Sequence, residues 1–196
     1  HLFYHKSRPY DILKKSGGEN MCRIERFEKE ISVPEYLEGY VAVEEFLEYC
    51  KACPNYGNLW TCPPYDFDVM EYWNRFSRLT VYARKIYFEP GTTREESMRI
   101  MHEVKDDMSR ELYELEAAHP GSVSLSAGSC TICGIGNCTR LCGQECRWPE
   151  KIRYSIESLG GNVGKTVSKL MGYELEWVEE GKLPSYFVLV GGLLKK

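Results

Sequence analysis

The chain has 196 residues, 43% of them hydrophobic and 28% charged, which is enough apolar material for one substantial core or one core with a small appended lobe. A formal net charge of −4 gives no field that would gather phosphate backbones, so nucleic acid is not an expected partner. No stretch reaches the roughly eighteen apolar residues that cross a bilayer, and the start lacks the apolar core of a secretory signal. A cytoplasmic protein with no membrane partner is the expectation.

Residues 1–20 scatter basic and aromatic side chains without a period and lead through Ser16, Gly17, Gly18, Glu19 and Asn20 to Met21. A translated ribosome-binding sequence ahead of a start at Met21 would give this pattern, as would a flexible amino-terminal extension. Neither reading places functional residues there. The expected organisation is therefore a single domain over 21–196, with cysteine loops at 50–65 and 130–149.

Over residues 41–49, Val41, Val43, Phe46 and Leu47 mix with Glu44, Glu45 and Glu48, which predicts a short helix leading into Cys50. Pro54, Asn55, Gly57, Pro63 and Pro64 then predict an ordered loop from 53 to 66. Residues 79–88, rich in β-branched and aromatic side chains, predict a strand that Pro90 and Gly91 end. Thr93 followed by Glu96 is a capping box, and Met98, Met101, Val104, Met108, Leu112 and Leu115 carry a helical stripe on to 118. That stripe reads as core packing and His102 beside it as a surface or packed histidine. Val123 and Leu125 predict a short buried strand delivering the chain to the loop 130–149. Beyond it the pattern predicts helices over 150–159 and 163–171, and strands over 173–178 and 186–190 joined by a turn at 180–184. The sum is an α/β or α+β fold: a single sheet flanked by helices, with cysteine-rich cluster-binding loops.

Gly160, Gly161, Asn162, Val163, Gly164, Lys165 and Thr166 imitate the end of a phosphate-binding loop. That loop needs four residues between its first glycine and the Gly-Lys pair, whereas Gly160 and Gly164 enclose three. No nucleotide site is expected there.

The informative residues are the nine cysteines. Cys22 stands alone, Cys50, Cys53 and Cys62 form one group, and Cys130, Cys133, Cys138, Cys142 and Cys146 form another. An odd count in two tight groups, without a secretory signal, argues against a disulfide framework. The second group, Cys130-x2-Cys133-x4-Cys138-x3-Cys142-x3-Cys146, has the short spacings that let several sulfurs bind corners of one 4Fe-4S cubane. Gly134 and Gly136, with Asn137, allow the backbone to bend until its N–H groups face the sulfurs and offset the negative charge. Zinc also accepts four thiolates, but zinc ribbons place two cysteine pairs across a longer hairpin, and here five cysteines fall within seventeen residues. The first group, Cys50-x2-Cys53-x8-Cys62, offers three thiolates. They could leave one iron open to a substrate, a water or a non-cysteine ligand, or be completed by Cys22 or Cys142, or be packed without metal. Tyr56, Trp60, Tyr65 and Asp66 lie close enough in sequence to wall such a site. Arg147, next to Cys146, reads as a surface ion-pair residue rather than one that tunes a cluster.

The segment Cys50-Lys-Ala-Cys53-Pro-Asn-Tyr-Gly-Asn-Leu-Trp-Thr-Cys62-Pro-Pro-Tyr65 resembles one signature of a prokaryotic family of predicted metal-binding proteins, the domain of unknown function numbered 2284. Ala127-Gly-Ser-Cys130-x2-Cys133, Cys146-Arg-Trp-Pro-Glu150 and the run from Tyr154 to Val163 resemble its second signature. The resemblance strengthens metal binding and carries no reaction with it. The sequence departs from the family pattern by having four residues, not two, between the second and third cysteines, and Cys142 lies outside that pattern. The third ligand is then Cys138, with Cys142 as the alternative.

The leading expectation is a protein holding one or two 4Fe-4S clusters on Cys130, Cys133, Cys138 and Cys146 and on Cys50, Cys53 and Cys62, passing electrons to a redox partner protein. One alternative is an enzyme whose three-cysteine cluster binds a small-molecule substrate at an open iron. The other is a zinc-stabilised interaction module.

Overall fold

The strand expected at 79–88 forms the middle of the molecule. In a computed structural model, which describes residues 10–14, 20–176 and 184–196, β3 (Arg78–Phe88) is flanked by β2 (Asn20–Ser32) and β5 (Tyr186–Lys195). With β1 (Tyr10–Lys14) outside β2 and β4 (Val123–Leu125) outside β5, the sheet order is β1-β2-β3-β5-β4, and every pairing is antiparallel. The helices are α1 (Val33–Tyr40), α2 (Val43–Lys51), α3 (Val69–Asn74), α4 (Arg94–Ala118) and α5 (Val163–Lys165), the last running on as a wider π-helical turn over Thr166–Met171. The fold is α+β. Among the described residues no helix is long and apolar enough to cross a membrane.

Alternation along β3 divides the core. Leu79, Val81 and Ala83 face one side, where they pack with Ile31, Val33, Tyr36, Trp73, Leu125, Ile156, Leu159 and Val167. The intervening residues face α4: Ile86 packs with Ile24, Ile100 and Val104, Tyr82 joins Met108 and Leu112, and Arg84 pairs with Glu111. The capping box forms, with Glu96 N–H donating to Thr93 Oγ1 at 3.1 Å and Thr93 N–H donating to Glu96 Oε2 at 3.1 Å. The methionine stripe is core at Met108, whereas Met98 is exposed, because the buried line runs through Ser97, Ile100, Val104, Met108 and Leu112. His102 is exposed, and Cys22 is fully buried in the apolar group under α4.

Glycines on β5 permit the close layering. A Cβ on Gly191 would lie 2.7 Å from the Leu125 carbonyl oxygen and 3.0 Å from Leu112 Cδ1, so any side chain there would push β4 and α4 away.

Two expectations are corrected and two elements are added. Residues 150–159 are not a helix: they hold only short 3-10 turns at Pro149–Lys151 and Glu157–Leu159, with Ser155 bridging in parallel to Ser126. Reciprocal bonds between Ser155 and Ser158, each N–H to the other's hydroxyl, compete there with helical bonding. Residues 173–176 make no strand, and the rest of that predicted strand, with residues 180–183 of the turn, lies outside the described residues. Finally, β2 and α1 occupy 20–40, a stretch where charges at Arg23, Glu25, Arg26, Glu28, Lys29 and Glu30 mask the alternation.

Candidate metal centre

The two cysteine loops meet beyond the β4 edge of the sheet. The chain leaves β4 through Ala127, Gly128 and Ser129 and enters a loop that reverses sharply at Gly134 (φ 81°) and Gly136 (φ 75°). Those positive φ values are the conformations that favour glycine. The reversals bring Cys130, Cys133, Cys138 and Cys146 onto the wall of one pocket, whose other side is Leu59, Trp60 and Thr61 from the first loop. Cys142, at the end of a 3-10 turn (Thr139–Cys142), is exposed and does not line this pocket. Of the two candidates for the third position, the fold turns Cys138 inward.

Backbone donors face these sulfurs as the glycines suggest. Trp148 N–H points at Cys146 Sγ at 3.4 Å, and the Ile132 N–H bonds the Cys130 sulfur. Burial pushes the Cys130 thiol up, and the nearness of Cys133, Cys138 and Cys146 adds to the rise. Arg147 donates to the Asn137 carbonyl at 3.0 Å, tying the end of the loop to its middle rather than forming the expected surface ion pair.

The first group is built differently. Cys50 sits in the last turn of α2, Cys53 in the turn that follows (Cys53 N–H to Cys50 O, 3.0 Å), and Cys62 at the far end of the loop. Burial pushes the Cys62 thiol up to about 11, with Cys53 and then Cys50 contributing in the same direction. Cys53 is exposed, and Cys50 and Cys53 open onto a groove of about 750 Å³ shared with Phe46, Tyr49, Asn162 and Glu157. A second cavity, on the Tyr56, Tyr65 and Pro64 side, is also lined by Cys50 and Glu157. Tyr56 and Tyr65 therefore wall the first group as expected, Trp60 instead walls the Cys130 pocket, and Asp66 lines neither.

The two loops are one unit. Arg140 donates to the carbonyls of Leu59 (2.7 Å), Cys62 (2.5 Å) and Pro64 (2.5 Å), and its guanidinium lies over the Trp60 ring. Trp60 Nε1–H donates to the Gln144 carbonyl at 3.1 Å, and Cys130 N–H donates to Thr61 Oγ1 at 3.4 Å. Lys105 of α4 donates to the Ser129 carbonyl between the two groups. Burial holds its ammonium below the usual lysine range, while Cys130, Glu157 and Cys62 are among the groups that favour its charge. Outside the cysteines, sequence reasoning missed Lys105, Arg140 and Glu157. Arg140 lies inside the second loop, and Glu157 lies in the 154–163 run that carries the family resemblance. The helical pattern around Lys105 gave no sign of its position.

Among the described residues no three Cys, His, Asp or Glu side chains form a group that could hold a single metal ion. The thiols stand as walls of cavities and do not close on one point. The donor set nevertheless suits an iron–sulfur group: four soft sulfurs with no histidine or carboxylate on the pocket wall, and backbone N–H groups at two of them.

An α+β sheet with two adjoining cysteine loops at one edge defines a cysteine-based candidate metal protein. The chain belongs to the DUF2284 family of predicted metal-binding proteins, whose sequence profile matches residues 37–194. No curated protein and no solved structure matches the chain.

Proposed function

We propose that this protein is an electron carrier in which Cys130, Cys133, Cys138 and Cys146 hold one 4Fe-4S cluster and Cys50, Cys53 and Cys62 hold a second. The observation that carries this reading is the gathering of four thiols, without Cys142, round a single pocket. An all-sulfur donor set, with no histidine or carboxylate on the pocket wall, supports a cubane over a mixed-donor zinc site. When bound, such clusters supply one-electron transfer. The protein's own contribution is to hold the sulfurs, to offset their charge with the Ile132 and Trp148 N–H groups and the Lys105 ammonium, and to exclude water with Trp60 and Trp148. Ile135, 82% exposed, and Ile132, 43% exposed, present an apolar rim on which a redox partner would dock. Reversible one-electron reduction of anaerobically purified protein, followed by potentiometry, is the expected result. Absence of any reversible couple would contradict the proposal.

The groove beside Cys50 and Cys53 favours a second reading, an enzyme that binds a small molecule next to the first group. Spectroscopic change of one centre on adding small ligands, cyanide included, would support it, and indifference to all of them would count against it.

A further inference from the structure

We infer that Glu157 is the fourth protein ligand of the metal group held by Cys50, Cys53 and Cys62, making that site three sulfurs and one carboxylate oxygen. The inference rests on the two-cluster reading above and adds a residue to it. Glu157 lines the groove that Cys50 and Cys53 open onto, and with Cys50 it also lines the neighbouring cavity on the Tyr56 side. Its carboxylate thus stands on the wall between the two spaces, beside the first cysteine of the group.

That carboxylate is built in at a cost. Its Oε2 is shielded from solvent and has no hydrogen-bond partner among the described residues, an arrangement that is unfavourable for a polar group and more so for a charged one. Lys105 donates to the Ser129 carbonyl and forms no ion pair with Glu157 among the described residues, so its charge favours the carboxylate without completing Oε2. A fold keeps such an oxygen when something outside the protein's own atoms completes it.

The turn that carries Glu157 is held rigidly against the helix that carries Cys50. Ala42 N–H donates to the Gly160 carbonyl at 2.9 Å, and Asn162 N–H donates to the Tyr40 carbonyl at 2.8 Å. A Cβ on Gly160 would fall 2.7 Å from Val43 Cα at the start of α2. Gly160 also has φ of 80°, so both space and backbone conformation demand glycine. The Gly160-Gly161 pair, which imitates a phosphate loop in sequence, serves to press the Glu157 turn onto α2. A carboxylate carries the same charge as the missing thiolate, and oxygen is an accepted iron donor where the other ligands are fixed.

The test compares holoprotein purified without oxygen as wild type, Glu157→Gln and Glu157→Cys, reading iron per chain and the electron paramagnetic resonance of the reduced and mildly oxidised forms. The expected result is loss of about one iron per chain in Glu157→Gln, with a three-iron signal on mild oxidation, and retention of full iron with an altered spectrum in Glu157→Cys. Both variants matching wild type in iron and spectrum would overturn the inference while leaving the two-cluster reading intact. Wild-type protein holding only about four irons, unchanged by Cys50→Ala, would overturn both.

Discussion

The two cysteine groups lie side by side yet solve the same problem in different ways. The Cys130 group gathers four sulfurs on one pocket wall, with glycine reversals aiming backbone N–H groups at them. The Cys50 group has one cysteine in the last turn of a helix, one in the following turn and one at the far end of the loop, and it opens to a groove also lined by Glu157, whose Oε2 is shielded from solvent. The contrast teaches that four thiols can be brought to one wall by a single loop, whereas three thiols spread over a helix end and a loop have only a distant turn beside them to offer a further donor. It also distinguishes two surroundings: a pocket beside the exposed Ile132 and Ile135, and a more open groove.

The sharpest way to break the comparison is within the second loop. Cys138→Ser is expected to lose about four of eight irons, while Cys142→Ser is expected to keep all of them. Iron lost from Cys142→Ser and kept in Cys138→Ser, measured as iron and sulfide per chain, would mean that the outward cysteine is the ligand, and equal losses would mean that the fold does not separate the two.

A smaller effect is expected where the second loop is anchored to the sheet. Glu116 and Arg153 form an ion pair at 2.5 Å with each side chain 17% exposed, and Glu116 also accepts from Ser124 N–H and hydroxyl. Burial opposes ionisation of Glu116, but the Arg153 and Ser124 bonds outweigh it and hold the carboxyl below its usual range. Glu116→Gln should cost about 2 kcal/mol in chemical denaturation at neutral pH, since it leaves a half-buried guanidinium poorly paired. A carboxyl depressed in the folded state contributes stability above its unfolded pKa, and that contribution disappears as pH falls through the folded value. The gap between wild type and variant should therefore close below about pH 4. A gap independent of pH would show that the pair does not act through its charge.

The smallest effect tests the shared surroundings of the groups. Lys105 is near Cys130, Cys62 and Glu157, so Lys105→Gln should lower the reduction potential of both centres by tens of millivolts with iron content unchanged. A shift confined to one centre would assign the lysine to that site alone, and no shift would remove it from the electrostatics of either.

Much of the fold's chemistry was legible in the sequence because it is local. The Thr93 and Glu96 cap, the apolar line of α4, the β-branched run of β3 and the glycines at 134 and 136 each act within a few residues. The cysteine spacings marked the loop, and the family resemblance set Cys142 apart from the four residues that share the pocket. What stayed hidden is tertiary. β2 faces one apolar side inward while charges such as Arg26 and Glu30 pair across to Glu111, Arg78 and Lys195, so its sequence reads as polar. The stretch 150–159 has helical composition, but Arg153 is drawn to Glu116 and Ser155 pairs with Ser158 and bridges to Ser126, which unwinds it. Glu157 lies in the run that carries the family resemblance, but nothing in its spacing sets it apart; its shielded Oε2 in the cavities shared with Cys50 distinguishes it from a surface glutamate.

The central claim is that both cysteine groups are iron–sulfur sites, and a count of iron, acid-labile sulfide and zinc per chain in protein purified without oxygen tests it most directly. The account predicts about eight irons and eight sulfides with no zinc. Stoichiometric zinc in colourless protein would contradict it.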